Sequence, residues 1–290
     1  MIFQFIADHS QQWPVIWMCE ALEVSPSGYY ARVGRTDSPA EQRRQELLGV
    51  IEEVHVEVKG RYGSPRMTPE LNARGYECSQ NMVAKLMKAY GIQANAPRRF
   101  IRTTDSNHSL PVAENLLARD FDPSGPNERW SADITYIPTR EGWLYLAVVE
   151  DLFSRLIVGW SMDETMESRL VVDALEMAIQ RRRPEAGLLA HSDRGSQYAS
   201  EHYQRVLAAE GIVCSMSEVG QCWDNAPVES FFGRLKCEIT PGEMMFDTRE
   251  QAKAELFEYL EVFYNRVRRH CSLGFLSPVE FERTYKPKLR

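Results

Sequence analysis

Between residues 130 and 238 the hydrophobic pattern changes period, and this change restricts the possible folds more than any other feature of the chain. Three strand-like runs come first, at 130–137, 143–150 and 155–161, joined by turns as short as TREGW. Helix 167–181, strand 187–192, helix 199–210, strand 212–215 and helix 225–238 then alternate. Side chains on a strand share a face every second residue, and those on a helix every 3.6, so the pattern reads as a meander followed by crossovers. Hairpins give antiparallel neighbours and helical crossovers give parallel ones. The expected architecture is therefore an α/β (α+β) fold: a mixed five-stranded sheet with flanking helices.

Three acids sit at telling places in that plan. Asp133 lies inside the first strand run, in WSADITYIP, and Asp193 directly follows the strand of HSDRGSQYAS. Glu229 lies in WDNAPVESFFGRLK, with 35 residues between it and Asp193. On the expected helix, Val228, Phe231, Phe232 and Leu235 form the core-facing stripe, and Glu229 lies off it. Gly233 and Lys236 share the flank of Glu229, so the acid is followed on one face by a residue without a side chain and then by a cation. Phosphodiester chemistry at neutral pH needs an activated water or 3′-hydroxyl and neutralisation of the departing oxygen. Two divalent ions about 4 Å apart supply both, and hard Asp and Glu oxygens hold such ions. A carboxylate triad on a ribonuclease-H-like sheet, with a phosphate-binding lysine beside it, fits that chemistry.

Composition narrows the remaining classes. The 290 residues, 43% of them hydrophobic, suffice for more than one domain and a sizeable core. No apolar run approaches the roughly 20 residues that span a bilayer, and MIFQFIADHSQQW lacks the basic start of an export signal, so a cytoplasmic protein without membrane contact is expected. Six cysteines without CxxC spacing and six unclustered histidines argue against a zinc site, leaving reduced thiols that mostly fill core space. The net charge of −7 is unusual for a nucleic-acid binder, but residues 41–104 carry 11 basic and 7 acidic side chains, and 262–290 carry 7 and 2. Local basic surfaces can still hold phosphates.

Upstream of the sheet the pattern is helical. Residues 13–33 read as two short helices around a turn at 23–25, either a helix-turn-helix or a plain helical hairpin, the hairpin being favoured if the segment stood alone. A longer helix over 40–58 is followed by the turn-rich KGRYGSPRMT, a short helical piece at 69–74, Gly75, and Ser79 as N-cap of NMVAKLMKAYG. A capped second helix exposing Asn81, Lys85 and Lys88 is a helix-turn-helix pattern, whose second helix can enter a major groove. The lysines suit phosphate contacts better than base readout. Residues 103–128 are rich in Pro, Ser, Asn and Asp and read as a linker. The domains expected are 1–39, helical; 40–104, helix-turn-helix; 105–127, linker; 128–240, catalytic core; and 241–290, a helix over 248–265 and a basic tail partly extended over DNA, with Arg268 and Arg269 in contact with it.

Six segments in order, MCEALEVSPSGYYAR, RYGSPRMTPEL to LMKAYGI, WSADITYI, HSDRGSQY, CWDNAPVESFFGRLKCE and YNRVRRHCSLGFLSPVEFE, resemble the integrase-core transposase (OrfB-type) encoded by the second reading frame of insertion-sequence-three-family elements. The resemblance runs nearly end to end. It implies a bacterial, nucleoid-associated DDE enzyme with Asp133, Asp193 and Glu229 as catalytic Mg²⁺ ligands, Mn²⁺ being a substitute. Such an enzyme cleaves one strand at the element's end, and the 3′-hydroxyl then attacks another phosphodiester in line. Lys236 matches the lysine that touches phosphate near the cleaved end. The partners implied are double-stranded DNA at terminal repeats and target, a homo-oligomer on that DNA, and an upstream-frame (OrfA-type) partner or fusion. Glu218 and Val219 stand where family members usually carry basic residues.

Around the triad, Asp224 or a neighbour is expected to cap the catalytic helix, with Asn225 supporting the site. His191 and Ser192 either orient a ligand or pack, and Trp130 and Trp223 are expected as core or loop anchors. Two other functions compete. A ribonuclease or junction nuclease would not need residues 41–104, and a catalytically decayed or partner-dependent DNA-binding protein of the same element would not need the intact triad.

Overall fold

The computed structural model describes residues 2–33, 38–95, 111–218, 221–240 and 245–286. Val219, the last four residues of the basic tail, the end of the 40–104 segment and the start of the 105–127 segment lie outside them. The chain divides into two units, Met1–Glu53 and Val54–Arg290.

In the first unit, helices α1 (Ile2–His9), α2 (Val15–Ala21) and α3 (Pro26–Val33) precede α4 (Pro39–Glu57), which runs on into the second unit. Ile6, Met18, Cys19 and Tyr29 are buried together, with Phe3 and Leu22 packed on them. The expected hairpin of α2 and α3 is present, turned by Glu23 at φ 55°, and α1 completes its core.

The second unit begins with α5 (Ser64–Ala73) and α6 (Gln80–Ala89). The segment SPRMT, expected as a turn, is the start of α5: Pro65 occupies the first turn, where its missing N–H is no loss. Gly75, at φ 91°, ends the turn, and the Ser79 hydroxyl accepts the Met82 N–H at 3.3 Å as the N-cap of α6.

The sheet holds β1 (Arg129–Thr139), β2 (Gly142–Asp151), β3 (Ile157–Asp163), β4 (Leu189–Ser192) and β5 (Val213–Met216) in the order β3-β2-β1-β4-β5. In the first three strands β2 is antiparallel to both β1 and β3, and β4 and β5 are added parallel to β1, the mixed five-stranded plan of the ribonuclease-H-like fold. Between them run α7 (Ser168–Arg182) and α8 (Glu201–Ala209), which with Trp130, Ala132, Ala147 and Val149 enclose the main core on one face. Residues of opposite parity on β1, Ser131, Asp133, Thr135 and Ile137, look toward α9 (Ala226–Ile239), which packs on β1. Beyond it, α10 (Arg249–Phe257) leads into a π-helical turn, Glu258–Tyr264, where one α-helix was expected, and α11 (Pro278–Thr284) closes the described chain.

Over its described residues the tail is not extended. Ser277 and Glu280 form a capping box that starts α11, and Glu282 pairs with Arg182 of α7. Of the five described cysteines, all free, only Cys19 is buried, so core filling does not explain most of them. No helix among the described residues is long and apolar enough to cross a membrane.

The sheet–helix layer is tight at Gly159 of β3. A Cβ there would lie 2.1 Å from the Ala174 carbonyl oxygen and 2.8 Å from Ala178 Cβ, so β3 and α7 would have to separate. Gly159→Ala should cost about 1–3 kcal/mol in urea unfolding, the usual penalty for overpacking. Unchanged stability would contradict this packing.

Candidate active site

Strand register brings the first two acids together. The parallel pairing of β1 with β4 ends at Ala132 opposite Ser192, so Asp133 and Asp193 are the next residues on adjacent strands, which run about 4.8 Å apart. Each is held by a local backbone donor: the Ile134 N–H bonds Asp133 Oδ1 at 2.8 Å, and the Gly195 N–H bonds Asp193 Oδ1 at 2.8 Å. The fit at Gly195 is tight, since a Cβ there would lie 3.0 Å from that same oxygen and 3.0 Å from Gln197 Oε1.

The third acid arrives on α9. The Asn225 side chain begins this helix by accepting the Ser131 hydroxyl and donating to the Ala132 carbonyl at 3.1 Å, so the helix start is tied to β1 next to Asp133. Val228, Phe231, Phe232 and Leu235 are buried, as the stripe predicts, and Glu229 is exposed. Asp224 does not cap the helix. It is buried and accepts Arg119 Nε at 2.7 Å, Asn115 Nδ2 at 2.9 Å and the Glu218 N–H at 3.0 Å, holding the preceding loop.

Asp133 lies within range of the charge of the other two acids and of Lys236. The Asp133 carboxyl is held well above the usual range, first by burial, then by the negative charge of Asp193 and further by Glu229, while the Ile134 N–H and Lys236 oppose the rise. Burial depresses the Lys236 ammonium, and Asp133 offsets part of that. Two strand ends and one helix therefore gather three carboxylates and a lysine within range of one another's charge.

Hard, mutually repelling oxygen donors suit a divalent cation. Among the described residues no three His, Cys, Asp or Glu side chains form a preassembled ligand cage. Neighbouring carboxylates repel, and a divalent cation bound among them would offset that repulsion.

The supporting residues divide. His191 is buried, its Nδ1 2.9 Å from Ser215 Oγ and its Nε2 3.1 Å from Ser217 Oγ, and burial pushes its pKa down to about 4. It joins β4 to β5 as a neutral ring. Trp130 is a core residue, but Trp223 is 68% exposed. Tyr198 was not singled out from the sequence: it is buried, its hydroxyl has no partner among the described residues, and Asp133 and Asp193 help to raise its pKa beyond the effect of burial. Its only signal was its place five residues after Asp193.

The basic residues also divide. Asn81, Lys85 and Lys88 are exposed on α6. Arg268 and Arg269 correct the reading of the tail as a DNA-facing surface. Arg268 is 1% exposed and pairs with Glu238 of α9 at 2.7 Å, and Arg269 pairs with Glu70 of α5 at 2.6 Å.

Residues 123–222 match the family described as an integrase core domain, and 229–285 match a second family of the same description. Residues 42–100 match an HTH-like domain. The transposase InsF for insertion sequence IS3A of Escherichia coli (strain K12) is 45% identical over 284 residues, covering 97% of this chain and 98% of the relative. An insertion element IS600 uncharacterized 31 kDa protein of Shigella sonnei is 43% identical over 268 residues, covering 92% and 98%. Among solved structures, a chain of the simian T-cell lymphotropic virus intasome in complex with PP2A regulatory subunit B56 gamma aligns at 15% identity with a TM-score of 0.45, over 83% of this chain and 76% of that one.

Proposed function

This chain belongs to the insertion-sequence-three family of integrase-core transposases, DNA-binding polynucleotidyl transferases, and we propose that Asp133, Asp193 and Glu229 are its catalytic residues and hold its divalent metal, Mg²⁺ or Mn²⁺. The observation that carries this reading is the strand register that sets Asp133 beside Asp193, with Glu229 and Lys236 close enough to perturb Asp133.

When bound, the metal supplies Lewis-acid activation of water or a 3′-hydroxyl and neutralises the leaving oxygen. Asp133 and Asp193 at adjacent strand ends and Glu229 on α9 would hold it. Lys236, seven residues beyond on the same flank, donates to a non-bridging oxygen of the attacked phosphate. Asn225 keeps Glu229 in place through its bonds to Ser131 and Ala132. The acids and the lysine thus stabilise in-line displacement twice, once for strand cleavage at the element's end and once for joining by the freed 3′-hydroxyl.

Asn81, Lys85 and Lys88 contact DNA from α6 within the HTH-like segment. The enzyme works on DNA in the bacterial cytoplasm, as a homo-oligomer holding two ends, together with an upstream-frame product. Incubation with duplex carrying its own element's ends and Mg²⁺ should yield nicked and joined strands, and chelation should remove both. Ends left intact by the enzyme and its upstream partner together, with every divalent ion tried, would sink the reading.

Lys85→Ala/Lys88→Ala should weaken binding about equally across DNA sequences. It should also flatten the dependence of log K on log salt concentration by about 2, near 0.9 per phosphate contact. An unchanged slope would place these lysines away from DNA.

A further inference from the structure

Away from the triad, on another side of α9, a cavity of about 320 Å³ opens among Arg66, Arg155, Arg234, Arg268, Glu150 and His270. Glu229, Gly233 and Lys236 mark the catalytic flank of α9, whereas this cavity meets Ala226, Pro227, Ser230 and Arg234, about a quarter to a third of a turn around the axis. Phe231 and Tyr264 supply apolar wall.

The lining carries more positive charge than it neutralises. Arg66 and Arg268 share the single carboxylate of Glu238. Among the described residues no acid lies within ion-pair distance of Arg155 or Arg234. The one acid in the wall, Glu150, is 1% exposed, and its Oε2 has no hydrogen-bond partner among the described residues. Burial raises its pKa to about 7 against the pull of Arg155, so near neutral pH it is often protonated and able to donate. His270 is held neutral, at about 2, by burial and then by Arg268, Arg66, Arg234 and Arg155. Four guanidinium groups around a roomy cavity, with a buried carboxyl oxygen left unpartnered, match a tetrahedral oxyanion, which accepts hydrogen bonds in several directions.

We propose that this cavity is a second phosphate site, which seats a backbone phosphate of the DNA strand passing α9 and so fixes that strand relative to Glu229 on the same helix. The proposal rests on the reading of the chain as a transposase and adds to it a contact outside the metal centre.

The test uses the full chain and two probes, inorganic pyrophosphate followed by calorimetry and a nonspecific DNA duplex followed by its salt-dependent affinity. Arg155→Ala/Arg234→Ala, with thermal unfolding as the check on folding, should weaken pyrophosphate binding at least tenfold and flatten the DNA salt slope by about 1. Arg155→Lys/Arg234→Lys, which keeps both charges, should retain most of each. Unchanged pyrophosphate affinity and slope in a folded alanine variant overturn the site. Weakened pyrophosphate binding with an unchanged slope overturns DNA as the source of the phosphate. A wild type that binds DNA and pyrophosphate but never cleaves leaves this site standing and counts against the transposase reading alone.

Discussion

Asp133→Asn will produce a protein that is inactive and harder to unfold. Strand cleavage and joining should fall on the order of 10³-fold or more, because a neutral amide in place of a first metal-holding oxygen removes charge where the transition state needs it. Stability should move the other way. The Asp133 carboxyl is raised in the folded state by burial, Asp193 and Glu229. A carboxyl raised on folding binds its proton more tightly in the native protein. Its stability contribution is therefore fully present below the unfolded value of about 4 and is lost as pH rises through the folded value. At neutral pH the wild type bears that penalty and the amide does not, so Tm in chelator should rise by a few degrees and become less sensitive to pH in the acidic range. Adding Mg²⁺ or Mn²⁺ should raise the wild-type Tm and leave the variant nearly unmoved, since only the protein that binds the ion gains by mass action. A variant less stable than the wild type in chelator would show that the three acids do not strain one another.

The second large effect lies near the C-terminal end of α9. Glu238 is 6% exposed and takes Arg268 at 2.7 Å, Arg66 at 3.1 Å and the Tyr259 hydroxyl at 2.9 Å. Burial works to raise its pKa, but hydrogen bonds and charge from Arg268, with Arg66 and Tyr259, prevail and lower it. This node joins α5, α9 and the segment after the π-helical turn. Glu238→Ala would leave the Arg268 guanidinium buried without its carboxylate and should destabilise by about 3–5 kcal/mol. Glu238→Leu combined with Arg268→Met removes both charges and should recover most of the loss, because replacing a buried pair by apolar side chains is often neutral. Urea unfolding of the three proteins measures this. Single and double variants equally unstable would mean that the node matters for shape rather than charge.

The sheet and the candidate site were legible because both rest on local pattern. Alternation around Asp133, the apolar run before Asp193 and the stripe beside Glu229 are short-range signals, and strand register does the rest. What stayed hidden depends on partners distant in sequence. Arg268 and Arg269 in YNRVRRHC look like any basic tail, and only the approach of Glu238 and Glu70 turns them inward. SPRMT reads as a turn because proline and serine are turn formers, yet both are also good first-turn residues of a helix, and α5 uses them so. The latch from Asn225 to Ser131 joins two motifs, WSAD and WDNA, that neither reveals alone. The arginine-lined cavity is assembled from α5, the β2–β3 connection, α9 and the segment after the π-helical turn, which no single window of sequence contains.

The central claim is that Asp133, Asp193 and Glu229 act as one phosphodiester-processing centre. It is tested most directly by strand cleavage and joining on DNA bearing the element's own ends, with Mg²⁺ and the upstream-frame product supplied, comparing wild type with Glu229→Gln. The account predicts products from the wild type and none from the variant, with DNA affinity and Tm in the variant retained. Cleavage by Glu229→Gln at the wild-type rate would contradict it.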